Sequence, residues 1–157
     1  MLEAGSVEPA ASPWSSNIVL VARPGGASPR MTVDFRGLNQ ITYRDKFPLA
    51  RISDCLDAMS GSTFFSVLDM SSSFHQVPID LNDKDKTAFI TRRGQYRYTR
   101  MTQGTVNSPS VFSHLMSMVL RGLTWATCVV YIDDTTVIAR SFEEMVSKSS
   151  TGFGIAI

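Results

Sequence analysis

A chain of 157 residues, 43% hydrophobic and 18% charged, has the apolar content for one packed domain or part of a larger one, which excludes disorder throughout. Fifteen Lys and Arg against fourteen Asp and Glu leave a net charge of +1, so composition neither announces a nucleic-acid partner nor excludes one. The longest apolar run, Ile18 to Ala22, is far too short for a membrane span, and residues 1–15 have neither the basic start nor the apolar block of a secretory leader. Cys55 and Cys128 are too few for a disulfide framework or a four-ligand zinc site, so an intracellular chain with free thiols is expected.

In chain order, residues 1–17 are rich in Ser, Ala and Pro and read as an extended lead-in ending at Ser12-Pro13-Trp14. Residues 18–22 form a short strand and residues 24–29 a turn. Met31, Val33 and Phe35 alternate with Thr32 and Asp34 as a second strand, so the two strands read as a hairpin. Leu49, Ile52, Leu56 and Met59 share one face of a helix opened by Pro48 and closed by Gly61. Thr63 to Leu68 is a β-rich run that stops at Asp69. Thr87–Thr91 and Gln95–Arg100 flank Arg92-Arg93-Gly94 as a second hairpin, with the basic residues from Lys84 to Arg100 as its solvated face. Ser108-Pro109 starts a helix that Gly122 ends. Its apolar ladder is Val111, Leu115 and Val119 together with Phe112, Met116 and Leu120. Thr127–Ile132 and Thr135–Ala139 are β-branched runs separated by Asp133-Asp134, a tight hairpin with two carboxylates at its tip. The order lacks βαβ alternation and predicts an α+β fold around an antiparallel sheet.

Two adjacent carboxylates between apolar strands repel each other unless a cation sits nearby. The bland alternative is a solvated turn. Asp69 weighs against it, because a charge ending an apolar strand is costly unless it is paired or metal-bound. Two strands ending side by side would bring Asp69 against Asp133 and Asp134. Three such carboxylates could hold two Mg²⁺ ions, with Mn²⁺ as an alternative, astride a reacting phosphate.

Further blocks follow one another in a set order. They are Ser12-Pro13-Trp14-Ser15-Ser16, Arg30-Met31-Thr32-Val33-Asp34-Phe35-Arg36-Gly37-Leu38-Asn39, Lys46-Phe47-Pro48-Leu49 and Phe65-Ser66-Val67-Leu68-Asp69-Met70. Phe74-His75-Gln76-Val77, Lys86-Thr87-Ala88-Phe89, Asn107-Ser108-Pro109 and Tyr131-Ile132-Asp133-Asp134 complete the set. Together they resemble the reverse transcriptase domain of gypsy-type LTR retrotransposon polyproteins, from residue 1 to about Glu144.

The resemblance implies a right-hand polymerase of α+β class. Its fingers would cover about residues 1–44 and 77–106. Its palm would cover about 45–76 and 107–146, an antiparallel sheet with packed helices, and residues 147–157 would be an unassigned tail. The implied activity is RNA-directed DNA polymerisation, in which a dNTP is added to a primer 3′-hydroxyl on an RNA or DNA template with two Mg²⁺ ions. The implied place is a cytoplasmic particle of the parent element, with no membrane. The same resemblance makes Asp69, Asp133 and Asp134 the catalytic metal ligands. It gives Arg30 the triphosphate, Gln103 and Met70 the incoming nucleotide, and Phe74 the steric gate beside the ribose 2′ position. Asp34, Arg36 and Asn39 would serve the template side of the fingers and Tyr131 the template and primer. Other readings stay open at several positions: Arg36 paired with a neighbouring acid, Phe74 as core, His75 and His114 as structural residues, Trp14 and Trp125 as packing residues.

Some features depart from the family. The turn at 24–29 carries no charge, leaving Arg23 as a poor substitute for a phosphate-binding cation, and Thr102 stands where the family has Pro. Both ends read as cut. The thumb and ribonuclease H segments that follow in the family are expected to be missing, and Ser147–Ile157 resembles nothing in it. A second reading is therefore a catalytically dead retroelement fragment, at most a nucleic-acid-binding module.

Overall fold

The computed structural model describes residues 2, 4–22, 25 and 28–153, apart from the side chains of residues 151 and 153; Arg23, residues 24, 26 and 27 of the turn, and residues 154–157 lie outside this description. In chain order the strands are β1 (Val7–Pro9), β2 (Ser16–Val21), β3 (Arg30–Asp34), β4 (Phe64–Asp69), β5 (Phe89–Thr91), β6 (Gly94–Tyr98), β7 (Cys128–Tyr131) and β8 (Asp134–Ala139). The helices are α1 (Arg36–Ile41), α2 (Ile52–Met59), α3 (Ser108–Val119) and α4 (Phe142–Phe153). They form two compact units. One joins Met1–Arg44 with Ser72–Ser108, and the other joins Asp45–Ser71 with Pro109–Ile157.

The first unit is built on a five-stranded sheet of order β1-β6-β5-β2-β3. The expected hairpins form, β2 against β3 and β5 against β6, both antiparallel. The sheet is mixed, because β2 runs parallel to β5. The lead-in is not merely extended: Val7, Glu8 and Pro9 pair with Tyr98, Arg97 and Tyr96. Pro9 is tolerated there because β1 is an edge strand, where a missing N–H need not break a ladder. Val7, Val33, Phe35, Phe89 and Tyr98 make the buried core, with Ile18, Met31 and Leu38 packed against it.

The segment Ser72–Gln76, expected with the palm, belongs to this first unit. Local bonds explain it. The His75 ring nitrogen Nδ1 lies 3.0 Å from the Met101 carbonyl, the ring stacks on Tyr98, and the Met101 amide donates to the Val77 carbonyl at 2.8 Å. The basic stretch is also less solvated than expected. Arg97 bridges Glu8 and Asp85, at 2.7 and 2.6 Å, and Lys86 pairs with Asp83.

The second unit carries a three-stranded antiparallel sheet of order β4-β8-β7. On one face Val129 and Ile138 pack with Cys55 of α2, flanked by Ala50, Ala58 and Met59. Cys128, Val137 and Ala139 alternate with these, point to the opposite face and are buried as well. Burial pushes both thiols up, so neither cysteine is a ready thiolate.

Packing corrects the expected faces of two helices. The face of α2 carrying Ile52 and Leu56 is turned outward, at 61% and 62% exposure, and the small side chains Cys55 and Ala58 approach the sheet instead. Of the apolar ladder on α3 and the residue after it, Phe112, Met116 and Leu120 are buried, while Val111 and Val119 are exposed. Residues 147–153, left unassigned in the sequence, continue α4. The tryptophans also differ from expectation, since Trp14 and Trp125 are both exposed.

Candidate active site

The β4 run ends at Asp69, and β8 begins at Asp134. The antiparallel register sets these two residues directly opposite each other, and Asp134 is also the cross-strand partner of Tyr131 on β7. Directly opposed residues of an antiparallel ladder project to one face. Asp69, Asp134 and Tyr131 therefore form one row across all three strands at one end of the sheet, and all three are exposed.

Asp133 sits in the two-residue loop Ile132-Asp133 that joins β7 to β8, and it is half-buried. The tip thus holds one carboxylate and not two, because pairing of Tyr131 with Asp134 takes Asp134 into the strand. The loop has positive φ at its first residue alone, Ile132 at +57°. That is a position where a two-residue hairpin favours glycine and where a β-branched side chain is strained.

Among the described residues no three His, Cys, Asp or Glu side chains form a closed metal cluster. The donor set nevertheless suits Mg²⁺. It consists of hard carboxylate oxygens, two of them on neighbouring exposed strand ends, and Mg²⁺ keeps waters and takes substrate phosphates in place of an all-protein cage. Met70, directly after β4, is half-buried.

The remaining expected site residues lie in the first unit. Arg30 opens β3 and is exposed. Arg36 grips Asp34 through Nε and Nη2 at 2.7–3.1 Å, and its backbone N–H donates to Asp34 Oδ1 at 3.1 Å. These bonds hold the Asp34 carboxyl below the usual range. The pair lines a polar cavity of about 460 Å³ with Trp14, Asn17, Gln40 and Lys86. Phe74 is only 8% exposed, within the short 3-10 helix Ser73–Gln76. Gln103 is exposed, on the loop ahead of α3. Asn39 is engaged at both ends of its amide: Nδ2 donates to the Gly104 carbonyl at 2.9 Å and Oδ1 accepts from the Val106 N–H at 2.8 Å.

A larger apolar cavity lies between Leu2, Val7, Ile18, Leu20, Met31 and Tyr96, and it holds none of the expected site residues. Among the described residues no helix is long and apolar enough to cross a membrane.

A three-stranded antiparallel sheet with carboxylates gathered at its hairpin end, in a chain whose other unit is built on a mixed sheet, defines a polymerase-like α+β class, and comparison agrees. Residues 23–151 match the model of the family described as reverse transcriptase (RNA-dependent DNA polymerase), so the chain belongs to that family. The Pol polyprotein of Drosophila melanogaster transposon 412 is 36% identical over 94% of this chain and 12% of its own length. An RNA-directed DNA polymerase homolog of Oenothera berteroana is 36% identical over 69% of this chain and 76% of its own. The gypsy polyprotein of Drosophila melanogaster is 30% identical over 96% of the chain. The chain thus spans about one eighth to one seventh of these two polyproteins. A crystal structure of a prototype foamy virus protease-reverse transcriptase superposes with a TM-score of 0.83 at 26% identity, covering 98% of this chain and 20% of that one. A related foamy viral structure in complex with double-stranded DNA gives a TM-score of 0.78 at 25% identity, covering 94% and 25%.

Proposed function

We propose that this chain is the nucleotidyl-transfer core of a retrotransposon reverse transcriptase, with the first unit acting as fingers and the second as palm. The observation that carries the reading is the row Asp69–Asp134–Tyr131, which joins residues far apart in sequence at one sheet end. Asp69, Asp133 and Asp134 would hold two Mg²⁺ ions. When bound, the ions would lower the pKa of a primer 3′-hydroxyl and stabilise the departing pyrophosphate.

The chain's own residues orient the reactants. Arg30 offers a guanidinium fork to the triphosphate of a dNTP, and Gln103 and Met70 lie against that nucleotide. Phe74 excludes a ribose 2′-hydroxyl by bulk, which discriminates through a clash with the wrong sugar. Tyr131 supports the primer–template beside the acids. Arg36, held by Asp34, presents a fixed cation to the template backbone. Arg92 and Arg93, exposed at the β5–β6 turn with no ion-pair partner among the described residues, add sequence-independent attraction.

The test is primer extension with Mg²⁺ on an RNA template. It would compare this chain alone with this chain joined to the segments that follow it in the polyproteins. Asp133→Asn should abolish nucleotide addition while primer–template binding persists and weakens steeply with salt. Full activity in Asp133→Asn refutes the assignment. Duplex binding without addition in every form favours the alternative, a nucleic-acid-binding fragment.

A further inference from the structure

Gln103 is exposed, yet the loop that carries it is bonded on every side. Before it, the Met101 amide donates to the Val77 carbonyl at 2.8 Å. After it, Gly104 has φ +96°, and a Cβ there would meet Phe35 Cδ2 and the Val33 carbonyl at 3.6 Å, so the backbone runs close over the core. Ser108 Oγ donates to the Thr102 carbonyl at 2.7 Å and lies 2.5 Å from Thr105 Oγ1. Asn107 Nδ2 donates to the Tyr43 carbonyl at 2.8 Å, tying the loop to the residues after α1.

The remaining tie is Asn39. Its carboxamide meets the backbone on both sides of Thr105, with Nδ2 on the Gly104 carbonyl and Oδ1 on the Val106 N–H. Only one orientation of the amide satisfies both partners, because a flip would set N–H against N–H and oxygen against oxygen. A side chain with one donor and one acceptor at that spacing is needed. Asp lacks the donor, and Ala and Leu lack both. α1 presents Asn39 here because it starts from the Asp34–Arg36 turn, and the Asn39 amide donates to the Phe35 carbonyl at 2.8 Å.

We propose that Asn39 is a positioning residue that acts on the incoming nucleotide through the Gln103 loop, and does not serve the template strand. The proposal rests on the polymerase reading above, in which Gln103 lies against the nucleotide. Asn39 fixes the Gly104–Thr105 and Thr105–Val106 peptide groups just after Gln103, so the exposed amide of Gln103 meets each nucleotide from one prepared position and less ordering remains for binding to supply. A template contact would have to use the second N–H or the second lone pair of a carboxamide whose orientation the loop already sets.

The test uses the whole chain with a dideoxy-terminated primer on its template, so that dNTP and Mg²⁺ bind without chemistry. Hydrogen exchange at the Val106 amide should accelerate about tenfold in Asn39→Ala, as expected for loss of one hydrogen bond. The dNTP dissociation constant should rise about tenfold, with primer–template affinity unchanged. Asn39→Asp, which keeps shape and the acceptor, should retain Val106 protection and lose nucleotide affinity in part. In a Gln103→Ala background, Asn39→Ala should add less than about twofold, since both act through one contact.

A rise in the primer–template dissociation constant with unchanged dNTP binding would overturn the proposal in favour of a template contact. Fully additive losses in the double variant would overturn it as well. An unprotected Val106 amide in the parent chain removes the clamp itself. A parent chain with a protected Val106 that binds no dNTP overturns the polymerase reading, and with it the role of the clamp.

Discussion

Asp69 and Asp134 face each other across β4 and β8, the last residue of one strand against the first of the other. Nothing local brings them together. Their meeting requires that β8 pair with β7 on one side and β4 on the other, so the sheet must form before the carboxylates are neighbours. Like charges directly opposite each other on one face are destabilising. The sheet tolerates them here because both are exposed at its open end.

Divalent cations should relieve that repulsion. Mn²⁺ can stand in for Mg²⁺ and be followed by its paramagnetic broadening of backbone resonances. Broadening should centre on residues 69 and 132–134. Asp69→Asn and Asp134→Asn should each weaken Mn²⁺ binding about tenfold, because ligand charge sets affinity at such open oxygen sites. Equal affinity in both variants would place the ion elsewhere.

The hairpin tip carries a second cost. Ile132 holds φ +57°, where an L side chain loses about 1–2 kcal/mol. Ile132→Gly should therefore unfold within about 1 kcal/mol of the parent chain, strain relief offsetting lost packing and chain entropy. Ile138→Ala is the control, the same residue type in the same hairpin without positive φ. Being buried, it should cost about 2–5 kcal/mol in denaturant titration. A similar loss at both sites would mean that Ile132 is unstrained.

Much of this arrangement is legible in the sequence, and the exceptions have physical reasons. The β-rich run stopping at Asp69 and the two runs around Asp133-Asp134 locate the three strands to within one residue at each end, because alternation and β-branching are local signals. Which residue opposes which is not local. The register that takes Asp134 out of the turn depends on strand pairing. Periodicity misassigns the buried face of α2 because it weights large apolar residues such as Ile52 and Leu56. The sheet instead accepts the small Cys55 and Ala58, which let the helix come close. α1 has only six residues and no ladder. Its one sequence signal is Asp34 two residues ahead of Arg36, whose N–H it accepts. The grip of Asn39 on Gly104 and Val106 leaves no trace in the chain, since its partners are backbone groups.

Phe74 tests packing against sugar choice on one residue. At 8% exposure, Phe74→Ala should cost about 3–5 kcal/mol of stability. Phe74→Val keeps part of the volume and should still raise the use of ribonucleotides relative to deoxyribonucleotides in primer extension. A destabilised Phe74→Val protein with an unaltered ratio would leave Phe74 a core residue only.

The start of α4 should be acid-sensitive. Ser141 Oγ accepts the Glu144 N–H at 3.2 Å, and Glu144 Oε2 accepts the Arg140 N–H at 2.7 Å, a variant of the reciprocal Ser-x-x-Glu cap. Glu144 also pairs with Lys148 at 2.9 Å. The Lys148 bond first, then the Arg140 amide, holds the Glu144 carboxyl below its ordinary value of 4.5. A depressed carboxyl contributes stability above its unfolded pKa and loses it as pH falls through the folded one. Amide exchange in residues 142–148 should therefore speed up as pH drops below about 4.5, after correction for intrinsic rates. Glu144→Gln should exchange faster at neutral pH and show little of the acid-dependent change. An acid response that survives in Glu144→Gln would assign it to another group.

The last prediction concerns the free side of β4. In the order β4-β8-β7 this strand is an edge among the described residues, and its alternate residues Phe65 and Val67 are 51% and 65% exposed on the same face as Asp69. Edge strands with exposed apolar side chains template pairing with other chains unless a charge interrupts them. On β4 the only charge is Asp69 at the very end. Self-association through this strand should therefore compete with folding in concentrated solution. Val67→Lys places a charge mid-strand where no core packing is lost. It should reduce concentration-dependent sedimentation and binding of an apolar dye, at a stability cost within about 0.5 kcal/mol. Val137→Lys, at a fully buried position of β8, should instead prevent folding. If Val67→Lys leaves association unchanged, the contact between copies lies on another surface, with the exposed Ile52 and Leu56 of α2 the next to change.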